Sequence, residues 1–559
     1  MLKAVMAAPL PLTQCDPPAL DWSRPEAPAA ANFGDIYFSV DGGLAETETV
    51  FLKACGLPER WQNKRRFVIG ELGFGSGLNF LAAWRMWDAT KTENSRLHFI
   101  SIEKYPFDAE QLQQALSAWP ELESYSAQLI HSWPGRVKGF HRLHFGDVTL
   151  TLIHDDISNA LDELEARVDA WFLDGFSPAK NPDMWSGEIT QKLAGLSAPG
   201  AKVGTFTVAG TVRNALTAAG FTVEKKEGFG RKRHRLEAIF PGKETKEIVV
   251  PTPTIIGAGI AGASLARAFA RRGITANIIH DPNHKAASHN AAALIKPRLD
   301  LQDRPESRFF LNSYLYARQA YHSHTAQEGV IHIPKSEAET ERFIKLNNQA
   351  PLGLEHFSFD EAANRLNLNK SLVIKPKSVL ADWLSDISLS ETGTANTDLT
   401  ILAAGYGFKD MMTDTHIQLR FSRGQLTWAE GGIETAITYG GYALPLTEGL
   451  LLGATHQRLD SGNPFSIKTE DDVQNLNNFE TFTGVKAQQL DKPSRASVRV
   501  TTADTLPMIG LLEGGRWLLT GLGSRGFVFA PLLAEALVSK ICGDPLPIAK
   551  SVWKRFGIR

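Results

Sequence analysis

Cysteine, net charge and long apolar stretches are all scarce in this sequence. The three cysteines, Cys15, Cys55 and Cys542, lie far apart and form no C-x-x-C pair, which argues against a disulfide framework and a metal site. The formal net charge of −2 gives no overall attraction to nucleic acid, so any such partner must bind a local patch. No run of about 18 apolar residues is present, so we expect no membrane span. Prolines interrupt the apolar start of the chain, which argues against a signal peptide. These absences favour a cytoplasmic protein without a bound metal.

The length predicts more than one domain. A chain of 559 residues, 43% hydrophobic and 21% charged, exceeds what one hydrophobic core usually serves. The polar segment Pro241–Pro253 is bounded by prolines and is typical of a linker. We therefore predict a first domain over 1–245, a linker over 246–253 and a second domain over 254–559, both of the α/β class.

A glycine motif opens the second predicted domain. The β-branched run Thr254–Ile256 predicts a buried strand, and a G-x-G-x-x-G pattern follows where that strand would turn into a helix. Its glycines are Gly257, Gly259 and Gly262. They allow a tight turn, close approach of a pyrophosphate and packing of helix on strand. The next predicted strand ends at His280 and Asp281, about where an acid binds the ribose. The pattern predicts a dinucleotide site, and the alternative is an ordinary glycine-rich turn.

A different glycine loop lies in the first predicted domain. Residues 66–70 predict a strand, and Glu71 follows at its end. Glycines then occupy alternate positions: Gly73, Gly75 and Gly77. The next predicted strand ends at Glu103, where a carboxylate can accept hydrogen bonds from both hydroxyls of a ribose. These residues resemble the S-adenosylmethionine site of the doubly wound methyltransferases. The alternative is a tight strand–helix turn without a ligand.

Another acid follows the predicted strand 148–153. Either Asp155 or the next residue, Asp156, could contact an adenine amino group, or these acids could cap the next helix, as acids at strand ends often do. The residues alone leave these two roles open.

The predicted strand 168–173 ends at Asp174. Ligands bind outside the carboxyl ends of strands in open α/β sheets, and an acid there can hold an amine and accept its proton. Phe176 and Trp185 offer flat faces for a base. The segment resembles the Asp-Pro-Pro-Tyr motif of amino methyltransferases, with Gly175 and Phe176 in place of the first proline and its neighbour. The alternative is that Asp174 only caps the helix after the loop.

The densest basic run of the chain is Arg231 to Arg235. Such a run could hold the phosphates of an RNA, or it could be a solvated turn.

A second glycine cluster lies near the C-terminus of the second predicted domain. Residues 518–526 place Gly523 and Arg525 after a strand and before an apolar helix, far along the chain from the first glycine motif. A nicotinamide enzyme rarely needs such a return, whereas a flavin is held at both its phosphate and its ring ends. Upstream in the same domain, residues 306–327 predict a helix.

These elements resemble the glycine-oxidase and D-amino-acid-oxidase family of flavoproteins over 250–559. The resemblance implies bound FAD, an Arg499 that forks onto the substrate carboxylate, and an Arg525 beside the flavin ring. Lys296, Arg420 and Arg423 are the alternative partners for that carboxylate. Two departures concern this resemblance: Val500 stands where the family often has proline, and His280 holds the usual position of the ribose acid, with Asp281 next to it.

A methyltransferase half fused to such an oxidase resembles the MnmC family of bifunctional enzymes. The resemblance covers nearly the whole chain and implies a Rossmann-like S-adenosylmethionine methyltransferase followed by an FAD-binding, glycine-oxidase-like α/β domain with a mixed β-sheet substrate subdomain. It implies a cytoplasmic monomer that modifies the wobble uridine of tRNA in two consecutive steps. The main alternative is a free small-amine oxidase fused to a small-molecule N-methyltransferase. A tRNA-binding scaffold with inactive sites is the third hypothesis, disfavoured because both glycine loops keep their acids.

Overall fold

The computed structural model describes residues 13–23, 28–38, 42–230, 232–243, 248–391, 398–411, 417–459 and 462–559. These residues form two compact units. The first unit comprises 14–249 and 539–551, and the second comprises Thr13, 250–538 and 552–559. The change from first to second unit, between 249 and 250, falls inside the linker predicted over 246–253. Residues 539–551 belong to the first unit, whereas the sequence predicted them in the second domain.

The first unit is built on an eight-stranded sheet. Its strands and those of a small three-stranded sheet are β1 Leu20–Asp21, β2 Ala29–Ala30, β3 Asp35–Ile36, β4 Arg66–Leu72, β5 Arg96–Glu103, β6 Gly139–Phe145, β7 Val148–His154, β8 Val168–Leu173, β9 Ser197–Thr205, β10 Thr222–Glu227 and β11 His234–Ile239. The order in the large sheet is β10-β11-β9-β8-β4-β5-β7-β6. Strands β9, β8, β4, β5 and β7 are parallel, so their carboxyl ends meet at one edge.

Helices cover both faces of this sheet, and each face has its own apolar core. The helices are α1 Gly43–Thr47, α2 Leu78–Thr90, α3 Ala109–Leu116, α4 Glu123–His131, α5 Ile157–Glu163, α6 Gly187–Leu196 and α7 Gly210–Ala218. The central strand β4 is buried along its length apart from Arg66, as expected for a parallel strand covered on both faces.

A buried carboxylate explains why 539–551 belongs to the first unit. Asp544 is 6% exposed. Its two carboxylate oxygens lie 3.2 Å from Arg66 Nη1 and 3.1 Å from Arg96 Nη1. Arg142 Nη2 donates to the carbonyl oxygen of Pro545 at 2.7 Å. Charges on the first and second strands of the parallel core are thus neutralised by a segment from the far end of the chain.

The second unit contains two sheets. Its strands are β12 Thr254–Ile256, β13 Asn277–Ile279, β14 Ala293–Ile295, β15 Thr325–His332, β16 Ser358–Asp360, β17 Arg365–Ile374, β18 Ser388–Ser390, β19 Thr400–Leu402, β20 Leu419–Glu430, β21 Ala436–Thr438, β22 Tyr442–Leu446, β23 Gly449–Gly453, β24 Gln457–Arg458, β25 Gln488–Gln489, β26 Arg495–Thr502, β27 Met508–Leu511 and β28 Trp517–Thr520. The mostly parallel sheet has the order β18-β13-β12-β19-β28-β27, and the larger mixed sheet has the order β14-β17-β15-β21-β22-β23-β20-β24, with β16, β25 and β26 at its sides.

The helices beyond residue 259 are α8 Ile260–Ala270, α9 Pro305–Tyr321, α10 Glu337–Gln349, α11 Pro376–Trp383, α12 Phe408–Met411, α13 Thr469–Thr483, α14 Gly526–Cys542 and α15 Lys550–Arg555. Within the described part of the chain, no helix is long and apolar enough to cross a membrane. The three cysteines are buried, and none of them is part of a disulfide bond. In the same part of the chain, no group of three or more His, Cys, Asp or Glu side chains is placed to hold a metal ion.

Candidate active sites

The glycine loop of the first unit joins β4 to α2 at the carboxyl edge of the sheet. Gly73, Gly75 and Gly77 all have left-handed backbone, with φ of +87°, +53° and +78°. A side chain on Gly73 would lie 3.2 Å from Gly175 Cα, and one on Gly77 would lie 2.7 Å from the ring of Phe74. Glycine is therefore required at this turn, and bare backbone faces the space beyond it.

A cavity of 760 Å³ opens beside this loop, within the usual size of a small-molecule site. Six of the predicted site residues line it: Gly73, Gly75, Glu103, Asp155, Asp174 and Phe176. The ends of β4, β5, β7 and β8 thus bring together residues that lie a hundred positions apart in the chain. Glu71, Gly77 and Trp185 are close by but do not line the cavity.

Glu103 is tied to the glycine loop. Its Oε2 accepts the N–H of Gly75 at 2.9 Å, and its Oε1 accepts the N–H of Tyr105 at 2.8 Å. Burial raises the pKa of Glu103, while these backbone donors lower it. The acid predicted to bind a ribose is therefore held against the backbone predicted to hold the rest of S-adenosylmethionine. This arrangement fits that ligand.

Asp174 lies at the end of β8 on the cavity wall. Its Oδ1 accepts the N–H of Gly175 at 2.8 Å, and its Oδ2 accepts from Asn79 Nδ2 at 2.8 Å. Burial raises the pKa of Asp174 to about 6, although both donors act in the opposite direction. A carboxylate with such a pKa is ionised at neutral pH and is a stronger base than an ordinary aspartate.

Glu71 lies behind Asp174, away from the cavity. It is 1% exposed, and it accepts hydrogen bonds from Ser101 Oγ at 2.6 Å and from Asn79 Nδ2 at 2.8 Å. Burial raises the pKa of Glu71 well above its usual range, and the neighbouring Asp174 raises it further.

The structure shows which of the two acids after β7, Asp155 or Asp156, caps the next helix. Asp156 is the N-cap of α5, because its Oδ1 accepts the N–H of Ser158 at 3.0 Å. Asp155 lines the cavity, and its Oδ1 accepts the N–H of Asp156 at 2.8 Å. The capping role therefore belongs to Asp156. Both acids line the cavity, so the adenine contact stays a prediction for either of them.

Aromatic rings gather at the cavity. Phe176 stacks on Phe33, with ring centroids 4.6 Å apart, and meets Tyr37 edge-on at 5.4 Å. Trp185 differs from the prediction: it is 6% exposed, packs in the core and donates its indole N–H to the carbonyl oxygen of Phe176 at 2.9 Å. Trp185 thus supports the loop and offers no face to a base. Phe33 and Tyr37 were missed, because the arm before α1 carries no motif that links it to the cavity.

Within the described part of the predicted basic run, 232–235, one residue lines the cavity. Arg231 lies outside the described residues. Lys232 lines the cavity, bonds Glu46 Oε1 at 3.0 Å and lies 4.2 Å from the centroid of the Phe206 ring. Arg235 Nη2 is paired with Glu237 at 2.6 Å. Two cations of the run, Lys232 and Arg235, are therefore paired with carboxylates of the same unit, and the RNA-phosphate hypothesis stays a prediction.

In the second unit, the G-x-G-x-x-G glycines join β12 to α8. Gly257 has a φ of +113°, and a side chain there would lie 2.5 Å from the carbonyl oxygen of Ala403. A side chain on Gly262 would lie 1.8 Å from the carbonyl oxygen of Gly257. Gly259 precedes the first residue of α8, where the N–H groups of a helix favour phosphate. Strand, bare backbone and helix N-terminus have the arrangement that the pyrophosphate of FAD requires.

Asp281 lies just past β13 and is exposed. Its Oδ1 accepts the N–H of Asn283 at 2.8 Å, so it caps a turn. The backbone N–H of His280 donates to the carbonyl oxygen of Ser390 at 3.0 Å. Both side chains remain candidates for the ribose of FAD.

The C-terminal glycine cluster precedes α14. Gly523 has a φ of +56°, and a side chain there would lie 2.9 Å from Thr501 Cγ2. Burial lowers the pKa of Arg525 to about 10, and the nearby Arg298 lowers it as well. Burial and Arg525 together lower the pKa of Lys296 to about 8. Lys296 and Arg525 are thus close neighbours in the tertiary structure, although 229 positions separate them in the sequence.

Arg499 and Arg423 lie on the paired strands β26 and β20 but have different surroundings. Arg499 packs over Gly424, where a side chain would lie 2.9 Å from its Nη2. Among the residues that the structure describes, Arg499 forms no ion pair with a carboxylate. Arg423 is 2% exposed, is paired with Asp471 and bonds Gln425 Oε1 at 2.8 Å. Its charge is already neutralised, so its surroundings do not support the predicted contact with substrate.

Two family profiles match the chain. Residues 120–241 match an S-adenosyl-L-methionine-dependent methyltransferase family, and residues 254–378 and 374–540 match the FAD dependent oxidoreductase family. The chain therefore combines a methyltransferase that uses S-adenosylmethionine with an oxidoreductase that uses FAD.

Curated relatives match nearly the whole length of this chain. The tRNA 5-methylaminomethyl-2-thiouridine biosynthesis bifunctional protein MnmC of Caulobacter vibrioides is 39% identical, over 97% of this chain and 97% of that protein. The protein of the same description from Maricaulis maris is 38% identical, over 96% of this chain and 95% of that protein. The chain belongs to the MnmC family. Among solved structures, iminodiacetate oxidase from Chelativorans sp. BNC1 is 17% identical, with a TM-score of 0.46, and the match covers 55% of this chain and 100% of that one.

Proposed function

We propose that this chain modifies the wobble uridine of tRNA in two consecutive reactions. The second unit removes the carboxymethyl group from 5-carboxymethylaminomethyl-(2-thio)uridine and leaves the aminomethyl form. The first unit then methylates the exposed amine to give 5-methylaminomethyl-(2-thio)uridine. Family membership supports this order, and so does the chemistry: an oxidase for an N-linked carboxylate produces the amine that Asp174 is placed to hold.

In the oxidase reaction, the chain positions the substrate. FAD, held by the glycine cradles around Gly257 and Gly523, supplies the two-electron acceptor when bound. Arg499 binds the substrate carboxylate through a bidentate pair, which fixes the adjacent C–N bond. Lys296 and Arg525, which lie close to each other, are the other cations of the predicted oxidase site. The oxidised C–N bond is an imine, and its hydrolysis releases glyoxylate and the amine.

In the methylation reaction, Asp174 holds the substrate ammonium and takes its proton, so that the nitrogen lone pair can attack the methyl group. S-adenosylmethionine supplies that methyl group when bound at Gly73, Gly75 and Glu103. Phe176, stacked on Phe33, presents an aromatic surface for the uracil ring. The observation that carries this assignment is the Asp174 carboxylate on the cavity wall, with its pKa raised to about 6.

Mass analysis of nucleosides tests the proposal. The purified chain, tRNA carrying the carboxymethylaminomethyl group and no S-adenosylmethionine should yield the aminomethyl nucleoside. Adding S-adenosylmethionine should convert it to the methylaminomethyl form. An unchanged tRNA in both reactions would contradict the proposal.

The small-molecule alternative is tested with the same enzyme. If the free modified nucleoside is converted as fast as the tRNA, the substrate is a small amine and RNA contacts contribute nothing. We also propose that the chain acts as a cytoplasmic monomer, because tRNA is available there and each unit carries a complete set of predicted cofactor residues. Light scattering during gel filtration checks the oligomeric state.

A further inference from the structure

Asn79 lies between two carboxylates in the first unit. It is the second residue of α2 and is 6% exposed. Its Nδ2 lies 2.8 Å from Glu71 Oε1 and 2.8 Å from Asp174 Oδ2. The ionised Asp174 carboxylate can only accept, so the amide nitrogen, which carries two hydrogens, faces it and also donates to Glu71. One side chain therefore joins the acid at the end of β4 to the acid at the end of β8.

Thr47, at the end of α1, completes this arrangement. Its Oγ1 donates to Asn79 Oδ1 at 2.7 Å, so the amide oxygen is also satisfied. Thr47 is itself buried, and its hydroxyl, which can donate or accept, is a donor in the amide orientation that Asp174 requires. On the far side, Ser101 holds the other oxygen of Glu71. Every polar atom of the Asn79 side chain has a partner, and the amide has one low-energy orientation.

We propose that Asn79 is a positioning residue for methyl transfer, and that it acts by holding the Asp174 carboxylate towards the substrate amine. The inference rests on the proposed role of Asp174. With Oδ1 held by Gly175 and Oδ2 held by Asn79, the carboxylate cannot rotate about its terminal bond without losing both hydrogen bonds. A fixed carboxylate holds the amine in line with the methyl donor, which is how positioning lowers the barrier of a transfer reaction.

Asn79 also affects the protonation of Asp174. Its N–H stabilises the ionised carboxylate and so lowers the pKa of Asp174, against the larger effect of burial. The other charged groups that face Asp174 are Glu71 on β4, Glu46 on α1 and Lys232 between β10 and β11. Glu46 raises the pKa of Asp174 and Lys232 lowers it. Loss of the Asn79 donor shifts this balance towards the protonated, inactive form.

The pH profile of methylation tests the proposal. We expect Asn79→Ala to move the acid limb of kcat/KM to higher pH by about one unit, since a hydrogen bond to a charged group is worth roughly that much. Well above the limb, much of the lost rate should return. The matched control is Ser101→Ala, which removes a donor to Glu71 and none to Asp174, so its acid limb should stay in place. Equilibrium binding of S-adenosylmethionine to each variant ensures that the profiles are measured at saturation.

An acid limb that does not move in Asn79→Ala overturns the proposal, whatever happens to the overall rate. If Asn79→Ala does not fold, two further variants test the same point: Asn79→Leu, which keeps the size of the side chain, and Thr47→Val, which removes the hydroxyl that holds the Asn79 amide. Both should move the acid limb to higher pH. Asp174→Asn separates this inference from the proposed function. If Asp174→Asn is fully active, Asp174 is not the base and the proposed function of this site is wrong. If Asp174→Asn is inactive but the acid limb of Asn79→Ala does not move, only the role of Asn79 is refuted.

Discussion

At the scale of single residues, burial raises the pKa of two neighbouring acids of the first unit, Glu71 and Asp174. Only Asp174 borders the cavity. Two carboxylates at adjacent strand ends therefore have different surroundings. Asp174 borders the cavity, whereas Glu71 lies behind the loop and accepts hydrogen bonds from Ser101 and Asn79.

Asp174→Asn separates a catalytic role from a packing role. The substitution keeps the size and most hydrogen bonding but removes the charge that takes the proton of the amine. We expect the methylation rate to fall by about 10²-fold or more, in the range of general acid–base catalysis. Binding of S-adenosylmethionine and oxidation should change little, so the aminomethyl nucleoside should accumulate on the tRNA. The N-cap of the next α-helix, α6, is Ser186, so full conversion to the methylated nucleoside would leave Asp174 only its contacts with Gly175 and Asn79.

The pH dependence follows from the raised pKa of Asp174. Because that pKa lies at about 6, the base is ionised above this pH and is lost as the pH falls through it. We expect kcat/KM for methylation to fall about tenfold per pH unit below the limb. The rate of oxidation, measured on the same enzyme, serves as the control for general acid inactivation. A methylation profile that stays flat down to pH 4.5 would contradict the assignment of the base.

Arg499 is expected to bind the substrate carboxylate. Arg499→Ala should reduce oxidation by about 10²-fold or more, because a carboxylate shielded from water would lose a charge-assisted pair worth about 3 kcal/mol. Flavin absorbance should remain, and methylation of tRNA that already carries the aminomethyl group should be normal. Arg458→Ala, at an exposed arginine on β24, which also pairs with β20, is the matched control. If Arg499→Ala oxidises the substrate at the normal rate, Lys296 or another cation must bind the carboxylate instead.

At the scale of elements, the glycine turns are the predicted binding sites of the two cofactors. Gly257 combines a φ of +113° with the carbonyl oxygen of Ala403 only 2.5 Å from where a side chain would begin. Neither the backbone of β12 nor that of β19 can give way without disturbing the sheet.

Gly257→Ala should therefore give a folded protein that has lost most of its FAD. The absorbance of the bound flavin measures this loss, and S-adenosylmethionine binding by the first unit should be unchanged. Gly432→Ala is the control in the same unit, since a side chain there meets no atom within 4 Å. A yellow, active Gly257→Ala protein would show that the turn is not the pyrophosphate site.

At the scale of the whole molecule, the two units are not two continuous halves of the chain. Residues 539–551 belong to the first unit and bring Asp544 to Arg66 and Arg96. We expect fragments 1–245 and 250–559 each to bind their own cofactor, but the first fragment should be less stable than the same unit in the full chain. A 1–245 fragment that fails to bind S-adenosylmethionine would contradict the predicted division of activities.

Asp544→Asn tests the contribution of this segment within the full chain. The substitution leaves two arginines without their shared counter-ion, and we expect a loss of about 2 kcal/mol, between the values for exposed and buried pairs. Thermal unfolding followed by tryptophan fluorescence measures the loss. Asp491→Asn, at an exposed position, should leave the midpoint unchanged. Equal midpoints for all three proteins would mean that the Asp544 pair contributes nothing.

The sequence by itself determined the features that depend on neighbouring residues. Strand, glycine turn and helix lie together at Glu71–Gly77 and at Thr254–Gly262, so local pattern and backbone sterics were enough to predict both cofactor loops. Acids directly after strands, such as Glu103 and Asp174, were predictable for the same reason: parallel strands bring their carboxyl ends to one edge.

Only the tertiary structure decided the features that depend on distant residues. The helix predicted over 306–327 ends at Tyr321, because Thr325 begins a strand that pairs with β17 and β21. Arg423 has a buried partner 48 positions away, and the partners of Asp544 lie more than 400 positions away. Asn79 acquires its role only when β4, β8 and α1 meet around it. Hydrogen bonds and ion pairs depend on distances in space, and local sequence patterns do not contain those distances.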